Sequence, residues 1–146
     1  KLNGLFDKLS GRREVSIKVF WDAAAELQAL MQENEDLQRE RDQLEGKTLS
    51  MDQVVRIGQS IEQSMAGRQK DITDTFRAVL EPLAVEVLEN PPLTEAMIYN
   101  TAYLISWEEE PVFSDRVEAL DQQFEGRLRI RYNNFTAPYS FAQLNP

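Results

Sequence analysis

Residues 126–144 read GRLRIRYNNFTAPYSFAQL, and the first half of this stretch decides the fold. Leu128, Ile130 and Tyr132 alternate with Arg127, Arg129 and Arg131, so one side is apolar and the other cationic. A period of two is the signature of a half-buried β-strand. Asn133-Asn134 then reads as a turn, Pro138 stiffens the backbone beyond it, and Tyr139 and Phe141 offer two further rings to a core. Nothing in the stretch is arranged for chemistry.

Working outward, the segment before it buries Val117, Leu120 and Phe124 at helical spacing, starting near Ser114 and stopping at Gly126. Glu108-Glu109-Glu110-Pro111 precedes that helix. Consecutive carboxylates diverge along a backbone and lack calcium-loop spacing, so they predict a solvated loop near a helix N-terminus rather than a metal site. Met97–Trp107 alternates as a strand. Tyr99, Tyr103 and Trp107 share a face with Met97, Thr101 and Ile105, the pattern of a sheet core rather than of an aromatic ligand cage. Val85–Leu88 is a short strand, joined to it through Asn90-Pro91-Pro92 as an antiparallel pair. Near the other end, Val15, Ile17, Val19 and Trp21 alternate with Glu14, Ser16, Lys18 and Phe20. Phe20 on the polar side predicts that this side too is partly covered. Before it, Leu2, Leu5, Phe6 and Leu9 form a short amphipathic turn.

Between the first two strands the pattern is helical. Asp22 is a natural N-cap and Gly46 a natural stop, with Leu30, Leu37 and Leu44 recurring every seven residues and Leu27, Asn34 and Arg41 in the companion positions. This helix predicts a hairpin within the chain rather than a coiled coil between chains, since association costs several kcal/mol that a neighbouring helix does not incur. Ser50 with Gln53 three residues on is a capping box. Met51, Val54, Gly58, Ile61 and Met65 make the facing seam, with Gly58 for close approach and Gly67 as an interruption. Ile72, Phe76, Val79, Leu80 and Leu83 predict a third helix laid on the sheet, ending near Pro82. Gly46-Lys47-Thr48 imitates a phosphate loop, but Arg41 stands where that motif needs glycine.

Strand, helices, strand, strand, helix, strand is a split β-α-β-β-α-β order. It predicts an α+β, modified ferredoxin-like fold: a four-stranded antiparallel sheet in spatial order fourth, first, third, second, with helices on one face. The departure is a long helical-hairpin insertion after the first strand, residues 22–82. The 146 residues read as a single domain.

Composition narrows the chemistry. There are no cysteines and no histidines, which excludes disulfides, thiolate metal sites and the commonest general base. No glycine-rich loop or isolated carboxylate pair replaces them, so no enzyme activity, catalytic residue, metal or cofactor is expected. The formal charge is −9. Residues 1–21 carry five basic and two acidic side chains, residues 22–90 seven and fifteen, and residues 91–146 four and eight. Such a field repels polyanions and argues against nucleic-acid binding. No run approaches the roughly 20 apolar residues of a membrane span. The composition fits a cytoplasmic protein.

Several separated blocks carry a resemblance. RLRIRYNNFTAPYSF, the FSDRVEALDQQFEG before it, NTAYLISW at Asn100–Trp107 and EVSIKVFW at Glu14–Trp21 resemble, in order, the gas vesicle GvpF/GvpL family, its cyanobacterial GvpF members in particular. The likeness runs from Lys1 to Leu144. Family members carry an additional N-terminal domain, so the chain is expected to be the C-terminal domain, whose family fold is a modified ferredoxin fold with extra helices. The resemblance implies a minor structural or accessory protein of gas vesicles, one that associates with the vesicle, binds its major shell protein and acts beside other accessory proteins during assembly. A ferredoxin-like ligand-binding or regulatory module is the alternative, resting on fold analogy. Exposed polar faces are the candidate partner contacts: Arg127, Arg129 and Arg131, together with Glu108, Glu109 and Glu110. The competing reading makes these arginines guards of an edge strand against aggregation.

Overall fold

The structure is a computed structural model that describes residues 10–46, 49–135 and 141. The amphipathic segment around Leu2–Leu9, the pair Lys47-Thr48, and Pro138 and Tyr139 lie outside the described residues, as does the side chain of Leu44. Two compact units are present: the chain up to Trp21 together with the chain from Thr73, and Asp22–Ile72.

The first unit is built on four strands, β1 (Arg12–Trp21), β2 (Glu86–Glu89), β3 (Met97–Ser106) and β4 (Leu128–Asn134). They form one antiparallel sheet in the order β2-β3-β1-β4, the expected order. The alternation in β1 sets its two sides. Val15, Ile17 and Val19 are fully buried and lie opposite Tyr103, Thr101 and Tyr99 of β3. Along the other edge of β1, Ile17 and Val19 face Tyr132 and Ile130 of β4. Between Val19 and Phe20 the β1–β3 register slips by one residue, with Ile98 of β3 left without a partner in the ladder.

Aromatic rings close the apolar side of this sheet. Helix α4 (Glu110–Gln123) contributes Phe113, which meets Tyr103 edge-on at 5.2 Å and Tyr132 at 5.7 Å. Phe76, on the last turns of the long helix α3 (Met51–Leu80), sits 5.8 Å from both Tyr99 and Phe124. Phe76 and Phe113 are wholly buried, and each such ring gains about 1.5–3 kcal/mol from leaving water. Tyr99 and Tyr103 donate and accept within one hydroxyl pair. Burial pushes both phenols above their ordinary pKa. The core reading of these tyrosines is therefore the right one.

The second side is partly covered, as the place of Phe20 in the sequence predicts. Ala102 and Leu104 of β3 pack under Phe141, and Glu14 and Ser16 of β1 are buried there. Asn133 and Asn134 do not turn the chain. They continue β4, opposite Ser16 and Val15, because cross-strand bonding to a buried central strand outweighs the turn preference of asparagine. Helix α4 begins earlier than Ser114: Trp107–Glu109 form a 3₁₀ turn that runs into Glu110, and Pro111 fits the first helical turn where no amide donor is needed. The acidic triplet is thus helical rather than looped. Gly126 adopts φ +80°, which a side chain would strain, and so turns the chain from α4 into β4.

In the second unit the first arm is two helices, α1 (Ala23–Glu33) and α2 (Glu35–Gly46). Asn34 does not sit in a heptad seam. It is extended, with φ −123° and ψ 97°, and its Oδ1 accepts from the Leu37 amide at 3.2 Å. An asparagine gains more as the cap of a new helix than inside an old one. Asp22 caps α1 as expected, accepting from the Ala25 amide at 3.1 Å. The capping box is also formed, with Ser50 and Gln53 exchanging bonds of 3.0 and 3.2 Å.

Leu30, Met31 and Leu37 pack with Leu27 against Ile61 and Met65 of α3, so the hairpin reading holds. The seam does not extend to the start of α3, where Met51 and Val54 are exposed and Ile57 is buried instead. Helix α3 runs unbroken for 30 residues through both glycines. A side chain at Gly58 or Gly67 would meet nothing within 4 Å, so neither position serves close approach or interruption. Arg68 pins α1 to α3, bonding Glu26 Oε1 and Glu33 Oε2 at 2.7 Å each. The hydrogen bond to Glu33, then that to Glu26, hold its pKa above the usual guanidinium value against the opposing effect of burial.

Candidate interaction surface

Among the described residues strand β4 pairs only with β1, so its cationic side lies at the rim of the sheet they form. Arg129 stands opposite Phe20 and Arg131 opposite Lys18, and both arginines are exposed. Their guanidinium carbons lie 4.6 Å and 5.7 Å from the centre of the half-buried Phe20 ring. At an exposed site such contacts contribute about 0.5–1 kcal/mol each, so their main effect is to orient the two cations. Arg127 does not join them. It precedes β4 in the turn after α4 and lies 5.7 Å from the Phe124 ring.

Of the acidic triplet, Glu110 lies toward the opposite side of the sheet. Glu108 and Glu109 are exposed on the 3₁₀ turn, whereas Glu110 accepts a 2.6 Å bond from the Tyr132 hydroxyl. Tyr132 shares the side of Ile17, while Arg131 shares the side of Lys18. Burial and the bond to Glu110 both raise the Tyr132 pKa. The six predicted residues therefore divide into one cationic pair around a ring, one arginine at the turn, one glutamate bonded to Tyr132 on the helix-covered side, and two glutamates exposed on the 3₁₀ turn. Lys18 and Phe20 are the members that sequence reasoning misses. The misplaced aromatic in β1 is the visible signal, but its pairing with Arg129 depends on register.

A crease of about 260 Å³ between α4 and β4 is lined by Ser114, Val117, Glu118, Asp121, Ile130 and Tyr132. That is below the usual range of roughly 300–1,000 Å³ for small-molecule sites. Among the described residues no group of three or more Asp or Glu side chains is placed to hold a metal ion. No helix among them is long and apolar enough to cross a membrane.

The candidate surface is thus a charged rim on an antiparallel α+β scaffold. The model of the gas vesicle synthesis protein GvpL/GvpF family matches residues 1–143, and the chain belongs to that family. Gas vesicle protein F of a Nostoc species is 57% identical over 145 residues, covering 99% of this chain and 59% of the relative. The Microcystis aeruginosa protein of the same name is 58% identical over 144 residues, again covering 99% and 59%. The crystal structure of GvpF from an Anabaena species superposes with a TM-score of 0.92 at 57% identity, over 99% of this chain and 59% of that one. That of Microcystis aeruginosa GvpF gives 0.80 at 58% identity, over 98% and 59%. The chain thus spans a little under three fifths of the length of these relatives.

Proposed function

We propose that this protein is a non-enzymatic accessory protein of gas vesicle assembly, which works in the cytoplasm on the growing vesicle by binding its major shell protein. Membership of the GvpL/GvpF family along residues 1–143 carries this reading. The names of the relatives, gas vesicle protein F, support the vesicle role. The chain's own chemistry supports contact rather than catalysis: it has no histidine or cysteine and offers an oriented cationic pair at a sheet rim.

The reading is tested by co-purifying the chain with the shell protein, before and after replacing Arg127, Arg129 and Arg131 together by serine. Capture by the native chain and its loss in the variant are expected. Absence of capture by the native chain refutes the partner. Deleting the full gene in a gas-vesicle producer should abolish flotation, and normal flotation would refute the assembly role.

A further inference from the structure

We infer that Phe20, with Arg129 and Arg131 folded over it and Lys18 alongside, is a docking patch for an extended acidic segment of a protein partner. The inference rests on the proposed contact role and specifies what the contact recognises.

The first observation is an imbalance. Acidic side chains outnumber basic ones by 25 to 16, so a surface cation should find a carboxylate at little cost. Arg39, Arg41, Arg68 and Arg77 all do, within 4.0 Å. Among the described residues Lys18, Arg129 and Arg131 form no ion pair; neither do Arg13, Arg56 and Arg116, but Lys18, Arg129 and Arg131 crowd one side of two adjacent strands. Three neighbouring like charges repel one another, and an incoming anion relieves that repulsion.

The second observation is orientation. Two guanidiniums share one ring, their carbons 4.6 Å and 5.7 Å from its centre, and the ring shields the faces turned to it from water. A planar guanidinium presented in this way binds carboxylates through paired hydrogen bonds, which a freely hydrated lysine does not. Arginines that only guarded the edge would need no common ring. Arg129 and Arg131 are also two residues apart on one strand, a spacing of about 6.7 Å. Carboxylates at alternate positions of an extended partner have the same spacing, so the predicted recognition element is an acidic residue at every second position.

The test uses a fluorescein-labelled octapeptide with glutamate at alternate positions, and its glutamine counterpart, titrated with the full chain and followed by anisotropy. The acidic peptide should bind at least about tenfold tighter than the glutamine peptide, a margin of about 1.4 kcal/mol, and should weaken as salt is added. Arg129→Ser with Arg131→Ser should remove that margin while lowering the thermal midpoint only by the few degrees that two lost ring contacts account for and leaving the near-ultraviolet circular dichroism unchanged. Arg129→Lys with Arg131→Lys, which keeps charge but loses the fork, should recover only part of it. Equal binding of both peptides overturns the inference, as does full recovery by the lysine variant. Equally tight binding of a single-stranded oligonucleotide overturns it too, because the patch would then be a general anion attractor. Self-association abolished by the serine variant would assign the patch to a second copy and overturn it as well. Shell-protein capture without acidic-peptide binding strikes this inference and leaves the assembly role standing. Acidic-peptide binding without capture supports the patch and strikes the shell partner instead.

Discussion

Arg68 offers two bonds of equal length to two carboxylates, and burial rather than distance should decide what each is worth. Its side chain is 15% exposed, that of Glu26 is 4% exposed and that of Glu33 is 62% exposed. Unit charges about 4 Å apart interact by about 4 kcal/mol where the effective dielectric constant is near 20, and by about 1 kcal/mol in water. The Glu33 bond lies toward the watery limit, where measured couplings are about 0.2–1 kcal/mol. The Glu26 bond lies toward the other limit and should couple by about 2–3 kcal/mol. Arg68→Met should accordingly cost about 3 kcal/mol, mostly through the lost bond to the buried Glu26 carboxylate. The perturbations are Arg68→Met, Glu26→Gln, Glu33→Gln and the two double replacements, each unfolded in urea and followed by far-ultraviolet circular dichroism. Glu26→Gln with Arg68→Met should restore much of what Arg68→Met alone removes. A coupling to Glu33 equal to or larger than that to Glu26 would refute the reasoning, since burial would then not govern the strength of this bridge.

Replacing Gly67 or Gly58 by alanine should raise stability by about 0.5–1 kcal/mol each, because both sit in open helical backbone; a fall in the urea midpoint would contradict the unbroken course of α3. Gly126→Ala should lower stability by about 1 kcal/mol through its positive φ, read from the same midpoint. Tyr99, Tyr103 and Tyr132 all have folded pKa values above the ordinary 10.0, so the fold keeps their protons after the unfolded chain has released its own. Their contribution is complete below pH 10 and is lost as pH rises above it. The slope is about 1.4 kcal/mol per pH unit for each buried phenol and less for the more exposed Tyr132. Urea unfolding between pH 9 and about 11 checks this, and Tyr132→Phe should make the decline shallower. Phe76→Ala should cost about 3–5 kcal/mol, because the ring is wholly buried between Tyr99 and Phe124.

The strands are legible in the sequence because alternation is a strong signal wherever one side of a strand is buried and the other carries charge. Val15–Trp21 and Leu128–Tyr132 both show it, and their order along the chain suffices for the sheet order. The ends of elements are less legible. Asn133 and Asn134 carry turn chemistry that pairing to β1 overrides, and no local pattern reveals a partner strand. Asn34 does carry a local signal: Glu35, Asp36 and then Leu37 come after it, which is how a new helix begins. The leucine spacing across it hides the break. For the interaction surface, the arginine alternation is visible, but placing Arg129 opposite Phe20 requires the β1–β4 register, and separating Arg127 from its neighbours requires knowing where the turn ends. Glu110 is grouped with Glu108 and Glu109 by adjacency alone, whereas a helical turn sends it toward Tyr132 instead.

Strand β1 occupies the middle of the sheet, yet it is synthesised before any of the strands that flank it. The helices made next can pair on short loops while translation continues, since local contacts need little loop closure. Val15, Ile17 and Val19 have no such neighbour and must wait until β3 and then β4 leave the ribosome. The nascent chain therefore carries a sticky, half-made ribbon until β4 has emerged, and completion of the sheet waits on that strand.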